Sequence, residues 1–126
     1  MNESKNNSPV ETRKNKVLQE IIKTINENYS NLKTIDDICD LVHFSPSYIF
    51  QLFKKHLNTT PHHYISVKKL LKAKELLSLD KEVIDVCYES GFSDYDYFIT
   101  VFKKAFGVTP YRYKKANSKK LEKENK

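Results

Sequence analysis

LFKKHLNTTPHHY occupies residues 52–64, and VFKKAFGVTPYRY occupies residues 101–113. Each has a phenylalanine before Lys-Lys, then Thr-Pro, then a tyrosine on the next turn. The likeness extends upstream. At a separation of 48 residues, Ile35, Asp37, Ile38, Cys39, Phe44 and Ser45 match Val83, Asp85, Val86, Cys87, Phe92 and Ser93. One residue then enters the second copy. At a separation of 49, Tyr48, Ile49, Phe53, Thr60, Pro61 and Tyr64 match Tyr97, Phe98, Phe102, Thr109, Pro110 and Tyr113. Apolar and surface positions recur together, which points to an internal duplication.

The periodicity around these segments is helical. Val17, Leu18, Ile21, Ile22 and Ile25 share one helix face, and that helix is expected to end near Tyr29–Asn31. Thr34 with Asp37 reads as a capping pair for a short helix carrying Ile35, Ile38, Leu41 and Val42. Ser45-Pro46 and Thr60-Pro61 are helix starts, an oxygen cap followed by proline at the first helical position. The second of these opens a longer helix to about Leu79, with Tyr64, Val67, Leu70, Leu71 and Leu77 expected inside. Asp80 is read as the cap of a helix bearing Val83, Val86 and Cys87. Ser93 and Asp96 start another helix, which buries Phe98, Val101, Phe102 and Phe106, and Thr109-Pro110 opens the last. No segment reads as a strand. Only two glycines and four prolines occur, which suits long helices better than a turn-rich sheet.

Each copy is therefore a short helix, a tight turn and a second helix ending in Lys-Lys, the outline of a helix-turn-helix. The turns read VHFS and SGFS. Gly91 stands where a positive φ is natural, and His43 takes that place in the first copy. With Ile49, Leu52 and Phe53 buried, Ser47, Phe50, Gln51, Lys54 and Lys55 face outward. In the second copy the outward residues are Tyr95, Asp96, Ile99, Thr100, Lys103 and Lys104. The second helix of such a unit reads base edges in a DNA major groove, and apolar Phe50 and Ile99 would meet thymine methyl groups there.

The charge distribution agrees. The formal net charge is +6, yet the segment from Lys103 onward carries nine Lys/Arg and two Glu. Between Lys54 and Glu75 six lysines occur without an acid. A basic face of this kind fits nucleic acid, although a lysine-rich solvated surface has the same composition. Lys54, Lys55, Lys103, Lys104, Arg112, Lys114 and Lys115 are the candidate phosphate contacts. No apolar run approaches the ~18–20 residues of a membrane span, and the N-terminus has no secretory apolar core. The chain is expected to be cytoplasmic, with no membrane contact.

The stretch GFSDYDYFITVFKKAFGVTPYRYKK (91–115) resembles the DNA-binding region of AraC/XylS-family bacterial transcription regulators. The resemblance covers roughly Val17 to Lys115. KKLLKAKELL looks like the family's linker helix, with Lys69 where an arginine is usual, and FSPSYIFQLFKKHLNTTP looks like its first helix-turn-helix. His43 and Asn58 stand where the family commonly has glycine. The resemblance implies an all-α fold of about seven helices, with two helix-turn-helix subdomains joined by a long linker helix. The expected divisions are a disordered polar arm (1–15), the first subdomain (16–60), the linker helix (61–79), the second subdomain (80–116) and a basic disordered tail (117–126). A linker of about 18 residues spans roughly 27 Å, suited to two recognition helices in successive major grooves about 34 Å apart. The implied activity is sequence-specific binding of double-stranded DNA to regulate transcription. The further partners are RNA polymerase and an N-terminal sensor or receiver domain, for which the roughly 15 polar residues before the first helix are too few.

Other chemistry finds no support in the residues. His56, His62, His63, Cys39 and Cys87 lack the spacing of a zinc site. Asp36, Asp37 and Asp40 read as a solvated helix face. No catalytic dyad, phosphate loop or cofactor motif is found, so no cofactor, no metal and no enzymatic activity are expected. The alternative function is a protein-interaction module that kept the fold and lost DNA specificity. Its support is the second reading face, where Asp96, Ile99 and Thr100 offer few bidentate donors.

Overall fold

A computed structural model of the protein describes residues 9–124, with side chains from residue 12 to residue 117. Among the described residues there are seven α-helices and no strand: α1 (Pro9–Asn28), α2 (Ile35–Val42), α3 (Pro46–Leu57), α4 (Pro61–Leu77), α5 (Val83–Glu89), α6 (Tyr95–Phe106) and α7 (Pro110–Glu124). A 3₁₀ turn, Tyr29–Asn31, follows α1. The all-α double helix-turn-helix architecture expected from the sequence is the one observed.

The chain divides into two compact units between Ile65 and Ser66, inside α4. The linker helix is thus not a separate segment. Its first turns belong to one unit and the remainder to the other. In the first unit Leu18, Ile21 and Ile25 of α1 pack with Ile38, Ile49, Leu52, Phe53 and Ile65. In the second, Leu70, Ala73, Leu76 and Leu77 of α4 pack with Val86, Cys87, Phe92, Phe98 and Phe102. Val67 and Leu71, expected inside, are exposed, whereas Ile65, Ala73 and Leu76 are buried. A lysine-rich helix of modest amphipathicity leaves that choice of face to its neighbours.

The duplicated residues do duplicated work. Phe53 meets Tyr64 edge-on at 5.6 Å between ring centroids, and Phe102 meets Tyr113 at 5.9 Å in the same manner. Phe44 packs on Tyr48, and Phe92 on Tyr97. Thr60 Oγ1 accepts from the His63 N–H at 3.1 Å, and Thr109 Oγ1 from the Arg112 N–H at 3.2 Å. Each such cap satisfies one of the helix's orphan donors. Pro61 and Pro110 beside them are buried.

Three local expectations are corrected. Residues 9–15, assigned to a disordered arm, are the first turns of α1, and residues 117–124 of the supposed tail continue α7. A helix fixed by its packed face extends at one backbone bond per residue, which polar helix formers sustain. The arm's residues 1–8 and the tail's residues 125 and 126 lie outside the described residues. Asp80 does not cap α5. It sits in the turn after α4 at φ 63°, and Glu82 holds the cap position. Ser93 does not cap α6 either. Asp94 Oδ1 accepts from the Tyr97 N–H at 3.0 Å, as Ser45 Oγ does from Tyr48 at 3.2 Å. The extra residue of the second copy therefore enters before its cap.

Candidate nucleic-acid interface

Within each unit the angle between the paired helices is set at one residue. His43 closes α2 at φ 63°, its N–H bonded to the Cys39 carbonyl at 2.7 Å. Gly91, at the matching place, has φ 104°. Asp37 Oδ2 accepts from the Lys33 and Thr34 N–H groups at 2.7 and 3.1 Å and fixes the start of α2. The far ends of the reading helices match as well: Asn58 closes α3 at φ 52° and Gly107 closes α6 at φ 85°. These left-handed positions favour glycine, and asparagine is the common substitute.

On α3 the expected reading residues Ser47, Phe50 and Gln51 are all exposed, and Lys54 and Lys55 follow in the last turn. Ser47, Phe50 and Gln51 border a shallow depression of about 430 Å³, completed by Ile35 and Pro46. Periodicity on α3 alone misses Ile35, which belongs to α2 and reaches this surface only through the fold.

The α6 face is different. Asp96, Thr100, Lys103 and Lys104 are exposed. Ile99, expected to face outward, is half-buried against the second core, and Tyr95 is too. The Thr100 hydroxyl donates to the Asp96 carbonyl at 3.0 Å and so spends its proton inside the helix.

Of the other cations, Arg112 and Lys115 are exposed on α7, with Lys115 Nζ 5.6 Å from the centroid of the exposed Tyr111 ring. Tyr111 is itself a surface aromatic. Lys114 has acidic neighbours. Its side chain is 17% exposed and its Nζ lies 3.9 Å from Asp80 Oδ1 and 3.7 Å from Glu82 Oε1. Lys69, also basic in sequence, is buried with Nζ 5.9 Å from the Phe92 ring centroid. Lys74 lies over Phe106 and Tyr113 at 4.9 and 5.7 Å. These two lysines bind aromatic faces of their own unit.

Burial pushes the Cys87 thiol up from 9.0 to about 11, with Asp94 adding to the effect. Burial also raises Cys39, with Asp36 and Asp40 contributing. Both thiols stay protonated near neutral pH, unlike a metal-bound or nucleophilic cysteine. Among the described residues no three of His, Cys, Asp and Glu gather as metal ligands, and no helix is long and apolar enough to cross a membrane.

A family model described as a helix-turn-helix domain matches residues 38–116, from inside α2 to the second turn of α7. The structure is similar to that of a transcriptional regulator from Chromobacterium violaceum, described among AraC-type DNA-binding domain-containing proteins. The TM-score is 0.73 at 25% identity, over 84% of this chain and 96% of that one. The chain belongs to the AraC-type helix-turn-helix family. An uncharacterised helix-turn-helix-type transcriptional regulator from the cgkA 5′ region of Pseudoalteromonas carrageenovora is 38% identical over 104 residues, or 82% of this AraC-type chain. The raffinose operon transcriptional regulatory protein RafR of Pediococcus pentosaceus is 34% identical over 96 residues, or 75% of it. The chain spans 62% and 35% of the lengths of these two relatives. It is thus an AraC-type DNA-binding domain of the kind found in transcription regulators.

Proposed function

We propose that the chain binds double-stranded DNA sequence-specifically to regulate transcription, laying α3 and α6 into two successive major grooves. One observation carries the reading. Two units with matching caps, matching left-handed turns and matching aromatic locks each present a helix that ends in exposed Lys-Lys. That is the equipment for placing a helix in a groove and anchoring it to phosphate.

The two faces divide the work unequally. Gln51 is the sharpest base contact, suited to bidentate pairing with adenine, and Ser47 and Phe50 flank it. On α6, Asp96 would accept from a cytosine amino group, while Tyr95, Ile99 and Thr100 are held by their own unit. The second unit then contributes more to affinity and shape readout than to direct base reading. Lys54, Lys55, Lys103, Lys104, Arg112 and Lys115 supply phosphate contacts.

Selection of binding sites from a random duplex library tests this. The expected motif has two half-sites about one helical turn apart. Enrichment of no motif, together with steep salt dependence, would leave only a non-specific basic binder.

The donor-poor α6 face favours one other reading, a protein-interaction module that keeps the fold without DNA specificity. Mobility-shift measurements at low salt separate the two, since that module would retard no duplex.

A further inference from the structure

Phe50 is 45% exposed, on a face otherwise made of Ser47, Gln51, Lys54 and Lys55. Covering its exposed apolar area on binding would be favourable. Its surroundings form a receptacle: Ile35 and Pro46 extend the apolar wall of the depression, and Ser47 and Gln51 supply its polar edge. The equivalent positions of the second unit are packed differently. Ile99, the equivalent of Phe50, is packed against the core, and so is Tyr95, the equivalent of Pro46. One scaffold built twice thus leaves this position exposed once and half-buried once, so the fold does not require an exposed phenylalanine there.

On the floor of a B-form major groove, the apolar group that distinguishes one base from another is the C5-methyl of thymine. We infer that Phe50 is a specificity-determining contact for a 5-methylpyrimidine, and that the chain reads such a base through its first unit only. The inference rests on the DNA-binding reading above. Lys54 and Lys55, in the last turn of the same helix, provide the anion affinity that brings a groove against the ring. Gln51 beside it offers an amide to adenine, so ring and amide together suit an A·T-containing step. The recess recognises a methyl group and not a hydrogen-bonding edge. At the same position 5-methylcytosine therefore binds better than cytosine.

The test uses the duplex chosen by library selection and the full chain. Each thymine is replaced singly by deoxyuridine, which lacks only the methyl group, and affinities are measured for wild type and Phe50→Ala. Gln51→Ala identifies the half-site read by the first unit. One thymine in that half-site is expected to lose about fourfold in wild-type affinity, the worth of one buried methyl, and nothing in Phe50→Ala. 5-Methylcytosine against cytosine at that position is expected to show a gain for wild type alone. The base change leaves the protein untouched, so the wild-type result does not depend on how the variant folds. Insensitivity of every thymine, or sensitivity that persists in Phe50→Ala, overturns the inference and leaves sequence-specific binding standing on the selected motif. Failure to select any motif overturns both.

Discussion

Gln51 and Thr100 occupy equivalent, exposed places on α3 and α6, yet they differ in what their polar groups do. The Thr100 hydroxyl is given to the Asp96 carbonyl. Gln51→Ala is therefore expected to blur one base position of the selected motif, at a cost of ~1–3 kcal/mol there, while Thr100→Val leaves the motif nearly unchanged. A second residue-scale effect is set by burial. The Cys87 thiol has its folded pKa raised from 9.0 to about 11. An acid whose folded pKa is raised stabilises the fold below its unfolded pKa and loses that contribution as pH climbs through the folded value. Denaturant titrations from pH 9 to pH 11 are expected to show falling stability. The slope against pH should be shallower in Cys87→Ala, whatever that variant's absolute stability.

At the scale of the element, the ends of the helices carry the duplication more faithfully than their faces. His43 pairs with Gly91 and Asn58 with Gly107 as left-handed positions. A β-carbon on Gly107 would meet no heavy atom within 4 Å, so alanine there would cost backbone strain and no clash. His43→Gly removes such strain from the first turn and is expected to stabilise by about 0.5–1 kcal/mol, read as a rise in melting temperature. The proline-led helices depend on their threonine caps. Thr109→Ala removes the acceptor of the Arg112 N–H and is expected to destabilise by ~1 kcal/mol. A loss much larger than that would mean that Thr109 does more than start α7.

For the whole molecule the governing quantity is charge. The net charge of +6 is uneven, with basic runs at the Lys-Lys ends of α3 and α6, along α4 and along α7. If about six phosphates are neutralised, affinity is expected to fall ~10³-fold between 50 and 200 mM salt. Replacing Lys103 and Lys104 by alanine is expected to lower the slope of log affinity against log salt by about 2, because each phosphate contact contributes about 0.9. The selected motif should keep its consensus. Lys114, already facing Asp80 and Glu82, is expected to change the slope much less when replaced.

The repeat, the helix starts at Thr34, Ser45, Thr60 and Thr109 and the left-handed turns at His43 and Gly91 were legible in the sequence, because they rest on short-range rules. An oxygen cap before proline, a glycine or its substitute after a helix, and a 3.6-residue apolar period act within a few residues of themselves. The order of the helices and most of both cores followed from them. What the sequence did not determine was how far each side chain stands from its neighbours in space. Periodicity put Phe50 and Ile99 on equal footing, and only packing around Phe98 and Phe102 drew Ile99 inward. Lysine reads as an exposed cation wherever it is written. Lys114 became half of an ion-pair cluster, and Lys69 a buried charge over Phe92, because residues distant in sequence arrived beside them. The reading face was predictable as a set of positions. Tertiary packing decided which of those positions stay outward, as at Ile99, while a bond inside the helix decided what the Thr100 hydroxyl still offers.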